Sequence, residues 1–149
     1  LSRAIASADP VIAALDLVPR LREQGLDILS QADFTEREAF RAAAFEQAEA
    51  GITGVDFGVA ETGTLVLSFD ETHARLVSLA PNVHIAMLPV GRIVGNYEEA
   101  LDSLYKAGKK PSQTALITGP SMTGDIQGKQ FKGMHGPQKL ITVLIADMD

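Results

Sequence analysis

Ile52-Thr53-Gly54-Val55-Asp56-Phe57-Gly58-Val59-Ala60-Glu61-Thr62-Gly63-Thr64-Leu65-Val66-Leu67 is the stretch that decides the fold class. Residues 52–60 and 64–67 are apolar and rich in β-branched side chains, which predicts two strands separated by Glu61-Thr62-Gly63. Outward from it the chain alternates helical and extended patterns. On the amino-terminal side a helix is expected from about Thr35 to Ala50, opened by a capping box of Thr35 and Glu38 and closed by Gly51. Phe40, Ala43, Ala44 and Ala48 give that helix an apolar stripe. A second helix is expected from Tyr97 to Ala107, with Asn96 as N-cap, Glu99 three residues on and Gly108 as stop. Asp9 to Gln24 reads as short helical pieces punctuated by Pro10 and Pro19. Further strands are expected at Leu26–Leu29, Leu76–Leu79, Val83–Val90, Thr114–Thr118 and Leu140–Ile145. Helices interleaved with buried-looking strands predict an α/β fold. The run of consecutive short strands argues for a mixed sheet over strict βαβ alternation.

The chain's 149 residues suit a single domain large enough to bury a core without disulfides. Net charge is −6, and the longest basic run is Lys109-Lys110, so a nucleic-acid partner is not expected. No apolar run reaches membrane-spanning length, which predicts no membrane partner. There is no cysteine, so these residues supply neither a disulfide, a thiolate nucleophile nor a Cys-held iron–sulfur cluster. That composition fits a reducing, cytoplasmic setting. The opening Leu1-Ser2-Arg3-Ala4 has no signal-peptide pattern, and a trimmed form is the expectation.

Four segments set small, flexible residues beside ionisable ones at expected strand ends, where α/β sheets place ligands. In the first, Gly63 permits a tight turn between Thr62 and Thr64, and Glu61 is either a general base or nucleophile or one more solvated turn residue. In the second, His84 opens an apolar strand, as a ligand or proton shuttle or as a hydrogen-bonded structural residue. His73, in the polar Asp70-Glu71-Thr72-His73 turn, is expected to be solvated. The third is Gly119-Pro120-Ser121-Met122-Thr123-Gly124-Asp125-Ile126. It starts like a phosphate-binding P-loop but lacks the Lys and the Ser/Thr that motif needs, leaving Ser121, Thr123, Gly124 and Asp125 as polar candidates. Lys129 and Lys132 lie close enough in sequence to offset an anion. In the fourth, Gly133-Met134-His135-Gly136-Pro137, a histidine between glycines leaves room for close approach.

The order Glu61-Thr62-Gly63-Thr64, Pro81 with His84, Gly119-Pro120-Ser121-x-Thr123-x-Asp125-Ile126 and His135-Gly136-Pro137 resembles the LutC/YkgG-like lactate-utilization (LUD domain) family over Ser7 to Asp147. The resemblance implies a mixed, mostly parallel sheet flanked by helices, like the NagB/RpiA/CoA transferase-like fold. It also implies a role in oxidising L-lactate to pyruvate beside two iron–sulfur partner proteins, with no cofactor in this chain. The implied site gathers Glu61, Asp125 and His135 as its polar centre. Thr62, Gly63, Thr64, His84, Ser121, Thr123, Gly124 and Gly136 would bind a small organic anion. No metal is assigned, because that would need His84, His135 and a carboxylate to converge. Two positions depart from the family pattern: Met122 stands where an Arg is usual and Gln127 where a Glu is usual. Met has no guanidinium fork for a carboxylate or phosphate. The family's first strand and amino-terminal helical region are expected to be absent ahead of Ser7. The rival readings are a stand-alone transferase- or isomerase-like enzyme and a non-catalytic small-anion sensor.

Overall fold

A computed structural model describes residues 2–106, 108, 111–124 and 130–146. Its centre is a five-stranded sheet, every pairing parallel, built from β1 (Arg3–Ala6), β2 (Asp27–Ser30), β3 (Ala50–Gly54), β6 (Val83–Pro89) and β11 (Lys139–Ile145) in the order β11-β6-β3-β1-β2. A strand therefore does precede Ser7, and it lies inside the sheet. Parallel strands covered on both faces need apolar residues at successive positions, and Ala4, Ile5 and Ala6 are all fully buried. Their alternation sorts them between two cores. Ala4 and Ala6 pack with Ile12, Val18, Ile28, Ala50 and Ile52, beneath α1 (Pro10–Ala14) and α2 (Leu17–Glu23). Ile5 packs on the other face with Ala43 and Ala44 of the π-helical turn that follows α3 (Arg37–Ala42), with Ala48 that caps it, and with Val77 of α4 (Arg75–Leu79).

A second, four-stranded sheet stands beside the first. It comprises β4 (Phe57–Val59), β5 (Thr64–Phe69), β7 (Ile93–Val94) and β8 (Gln113–Ile117) in the order β7-β4-β5-β8, with β5 antiparallel to both its neighbours and β7 parallel to β4. Leu65, Leu67 and Phe69 of β5 pack with Val55, Ala86 and Leu88 to join the two sheets. The α/β class with a mostly parallel central sheet flanked by helices is thus present, and the antiparallel pairings lie outside that central sheet. The last helix, α5 (Tyr97–Lys106), follows its expected caps: Asn96 Oδ1 accepts from Glu99 N at 3.0 Å, and Gly108 N donates back to Tyr105 O at 3.0 Å. Ahead of β11, β9 (Met122–Gly124) and β10 (Gln130–Lys132) pair antiparallel.

Local expectations fail at several points for identifiable reasons. The single strand expected over residues 52–60 breaks at Val55-Asp56, with β3 in one sheet and β4 in the other. Residues 76–79, expected as a strand, lie in the helix α4; a run as short as Leu76-Val77-Ser78-Leu79 carries no period that separates strand from helix. The helix after Thr35 starts at Arg37 with no side-chain cap, so the expected box does not form. Gly51 closes no helix. It lies within β3, where a Cβ would sit 1.7 Å from the Val77 carbonyl oxygen of α4, so its lack of a side chain is a packing requirement between strand and helix. Among the described residues no helix is long and apolar enough to cross a membrane.

Candidate functional site

The strand pair β4–β5 turns at Glu61-Thr62-Gly63, with Gly63 at φ +66°, a left-handed conformation that glycine adopts without cost. The turn is tied to the approach to α5, since Ala60 N donates to Val94 O at 2.9 Å and Glu61 N to Gly95 O at 3.1 Å. Glu61 and Thr62 are exposed, whereas Thr64 is wholly buried. The Thr64 hydroxyl stands 2.8 Å from Thr62 Oγ1, 2.8 Å from the Tyr97 phenol oxygen and 2.9 Å from Thr118 Oγ1. The Thr62 and Thr64 hydroxyls hold the Tyr97 phenol below its ordinary pKa, with Thr118 adding to the effect; burial and the nearby Glu61 carboxylate work against it. Beside this cluster opens an apolar groove of about 260 Å³ lined by Val59, Gly63, Thr64, Leu88 and Thr142 among others.

A smaller cavity of about 110 Å³ gathers the other motifs. His84, Ser121, His135 and Gly136 line it together with Gly119, Pro120 and Pro137. It lies by the amino ends of β6 and β11, where His84 and Leu140 are register partners. The two loops are stitched together by Ser121 N donating to Pro137 O at 2.8 Å and Gly133 N donating to Ser121 O at 2.9 Å. His84 is 1% exposed, and its Nε2 lies 2.8 Å from Thr53 Oγ1. Burial, with His73 nearby, pushes its pKa down to about 4. Neutral at pH 7, the imidazole is a hydrogen-bonded interior group that also lines the cavity. His135 is exposed at the cavity's edge.

The motif residues thus fall into two neighbouring sets. The Glu61-Thr62-Gly63-Thr64 turn meets Tyr97 and Thr118 through the Thr64 hydroxyl, while His84, Ser121, His135 and Gly136 share the cavity. The bridge is the stretch after β8: Thr118 joins the hydroxyl cluster, and Gly119 to Ser121 line the cavity. Thr123 and Gly124 lie in β9. Asp125, Ile126, Gln127 and Lys129 lie outside the described residues. Among the described residues, no group of three or more His, Cys, Asp or Glu side chains is placed to hold a metal ion.

A third concavity, of about 140 Å³, sits at the carboxyl end of β3, where open α/β sheets place ligands. Asp9, Asp56, Asp70, His73 and Arg92 line it. Two of its carboxylates brace the backbone. Asp9 Oδ1 accepts from Val11 N and Ile12 N, and Oδ2 from Gly54 N at 2.8 Å and from the Ser7 hydroxyl. Asp56 Oδ2 accepts from Ser68 N and Oγ, both at 2.6 Å. Burial would raise the Asp70 carboxyl, but bonds from Thr72 and His73 N outweigh it and hold its pKa below the ordinary value. His73, expected in solvent, is 4% exposed. Asp70 curls the polar turn back on itself, and the imidazole packs edge-on against Phe69 with ring centroids 5.3 Å apart. The signal for this region was available in Gly54-Val55-Asp56, a carboxylate just past a strand's carboxyl end.

The LUD domain family matches residues 7–145 of the chain. Lactate utilization protein C of Bacillus subtilis is 34% identical over 158 residues, covering 95% of this chain and 64% of its own length. The protein of the same name from Geobacillus kaustophilus is 33% identical over 153 residues, covering 93% and 63%. That of Macrococcus caseolyticus is 38% identical over 106 residues, covering 68% and 46%. The chain thus spans less than two-thirds of each of these relatives. A crystal structure of a DUF162 family protein from Deinococcus radiodurans superposes with a TM-score of 0.56 at 19% identity, over 97% of this chain and 87% of that one. At that identity the likeness speaks for the fold alone.

Proposed function

The chain belongs to the LUD domain family, and from that premise we propose that it serves lactate utilisation as a subunit of a cytoplasmic, iron–sulfur-dependent system that oxidises L-lactate to pyruvate. In this reading the chain binds a small organic anion, and the electrons pass through iron–sulfur clusters on partner proteins. The division of labour follows from composition, since a cluster held by cysteines needs a chain that has them, and these 149 residues have none. The observation that carries the reading is the Thr118–Ser121 stretch, which sets the hydroxyl cluster beside the His84–His135 cavity. Hydroxyl donors, loop amides and a polar-rimmed pocket suit a small, oxygen-rich ligand.

The test is affinity purification of the tagged full-length protein from lactate-grown cells, with the Glu61→Ala variant alongside. Two cysteine-rich iron–sulfur proteins recovered with the chain are the expected outcome. Recovery of the chain alone would overturn it in favour of a second reading, a stand-alone transferase-like enzyme. The exposed Glu61 carboxylate, on a positive-φ turn beside a phenol, favours that alternative because it is accessible as a nucleophile or base.

A further inference from the structure

The two faces of the five-stranded sheet are covered unequally. A parallel sheet needs an apolar layer on each face. On the side of Ala4 and Ala6 that layer is α1 and α2, whose Ile12, Leu17, Val18 and Leu21 pack over β1, β2 and β3, with α1 reaching β6. Past α1 the same face continues as an apolar strip. Val83, Ile85 and Met87 of β6 and Ile141 and Ile145 of β11 are half-buried there, and Val143 is 37% exposed. The register sets them on one face, since Ile85 pairs with both Ile52 and Ile141, and Met87 with Val143.

The handedness of the chain explains the gap. β1 to β2 runs one way along the sheet, and β2 to β3, β3 to β6 and β6 to β11 all run the other. Right-handed crossovers therefore put the first connection on one face and the later three on the opposite face. The cores agree, because the π-helical turn and α4 meet Ile5 on that opposite face and the second sheet meets Ala86 and Leu88 there. Among the described residues, no connection is left to cover β6 and β11 on the α1 side.

The strip has the dimensions of one helix. Two strands about 4.8 Å apart, each of seven residues at about 3.3 Å, present a band about 10 Å wide and about 23 Å long. An α-helix is about 10 Å across and rises about 1.5 Å per residue, so about fifteen residues span the band. A second copy fits poorly. α1 and α2 stand proud beside the strip, and filling that step with another copy's α1 and α2 would press exposed Arg20, Arg22 and Glu23 onto apolar side chains. The Bacillus subtilis and Geobacillus kaustophilus relatives match 95% and 93% of this chain, yet more than a third of their own length lies outside the match.

We propose that the strip seats an amphipathic α-helix of about fifteen residues supplied by the part of this polypeptide outside residues 1–149. The helix lies along β6 and β11 beside α1, with apolar side chains at i, i+3, i+4 and i+7 against the strip and polar ones outward. It ties that outside segment to the same two strands whose other face carries His84 and Leu140 at the cavity.

The test uses the full-length protein with a photo-crosslinking residue in the strip, as Val143→benzoylphenylalanine and, separately, Ile145→benzoylphenylalanine. Glu38→benzoylphenylalanine, at an exposed position of α3, is the control. After irradiation and digestion, mass spectrometry should find both strip probes joined, within single polypeptides, to a peptide from outside residues 1–149 that carries the helical apolar pattern. The Glu38 probe should not reach that peptide. Val143→Asp should speed hydrogen exchange in it by about tenfold or more, because a charge then faces the apolar side of the helix. Strip probes joined to a second copy, to another protein or to nothing overturn the proposal. So do an unchanged exchange rate and a full-length polypeptide with no residues beyond these.

Discussion

Acidification should destabilise this protein through His84. The imidazole is almost completely enclosed, and the folded chain resists protonating it until about pH 4, with burial as the first cause and the neighbouring His73 as the second. The unfolded chain takes up that proton at its ordinary pKa of about 6.5. Between those values the unfolded state holds more protons than the native one, so stability is full above about pH 6.5 and is lost as pH falls toward about 4. A shift of that size, at about 1.4 kcal/mol per unit, is worth about 3 kcal/mol in total, with about 2 kcal/mol gone by pH 5. The measurement is urea denaturation followed by circular dichroism at pH 7, 6 and 5, for the native sequence and for His84→Gln. Glutamine does not titrate and still offers Thr53 a partner. The difference in unfolding free energy between the two proteins should move by about 2 kcal/mol in the variant's favour across that range. A difference that stays constant with pH would refute the reasoning, because His84 would then titrate in the folded chain as it does in the unfolded one.

Asp9→Ala removes the acceptor shared by Val11 N, Ile12 N, Gly54 N and the Ser7 hydroxyl, and should cost about 3 kcal/mol by loss of a helix cap and of buried charge-assisted bonds. A melting temperature within a degree of the unaltered protein would disprove that role. Gly51→Ala should destabilise by about 3 kcal/mol or more, because its Cβ meets the Val77 backbone oxygen. Gly63→Ala meets no atom within 4 Å and strains only its positive φ, so about 1 kcal/mol is expected. Equal losses at the two glycines, measured by chemical denaturation, would show that steric contact is not what separates them. Glu61→Gln, at an exposed carboxylate, should leave the unfolding midpoint unchanged, and a marked drop would reveal a structural role for that side chain.

What the sequence made legible is what local rules control. The Asn96 cap, the Gly108 stop, the hairpin at Gly63 and the strands of residues 83–89 and 139–145 each follow from a few adjacent residues. The extended reading of 76–79 fails because its helical state is fixed by packing against β3, which no neighbouring residue announces. The same reason hid the hydroxyl cluster. Thr64 is 33 residues from Tyr97 and 54 from Thr118, so no motif spacing joins them. Tyr97 and Thr118 looked like a helix start and a strand end, and only the pairing of β5 with β8 and the docking of the β4–β5 turn bring them together. His73 was misjudged because a polar turn hides an imidazole when its own aspartate folds it inward.

The order of strands in the parallel sheet also governs how the chain is put together as it leaves the ribosome. β2 takes its place on one side of β1, β3 on the other, β6 outside β3 and β11 outside β6. Each arriving strand adds to a free margin, and no step requires two paired strands to part and admit a third. The nascent polypeptide can therefore build its central layer outward in the sequence of translation, and β11, the last of these strands to emerge, joins β6 on a sheet in which β1, β2 and β3 already have the neighbours they keep.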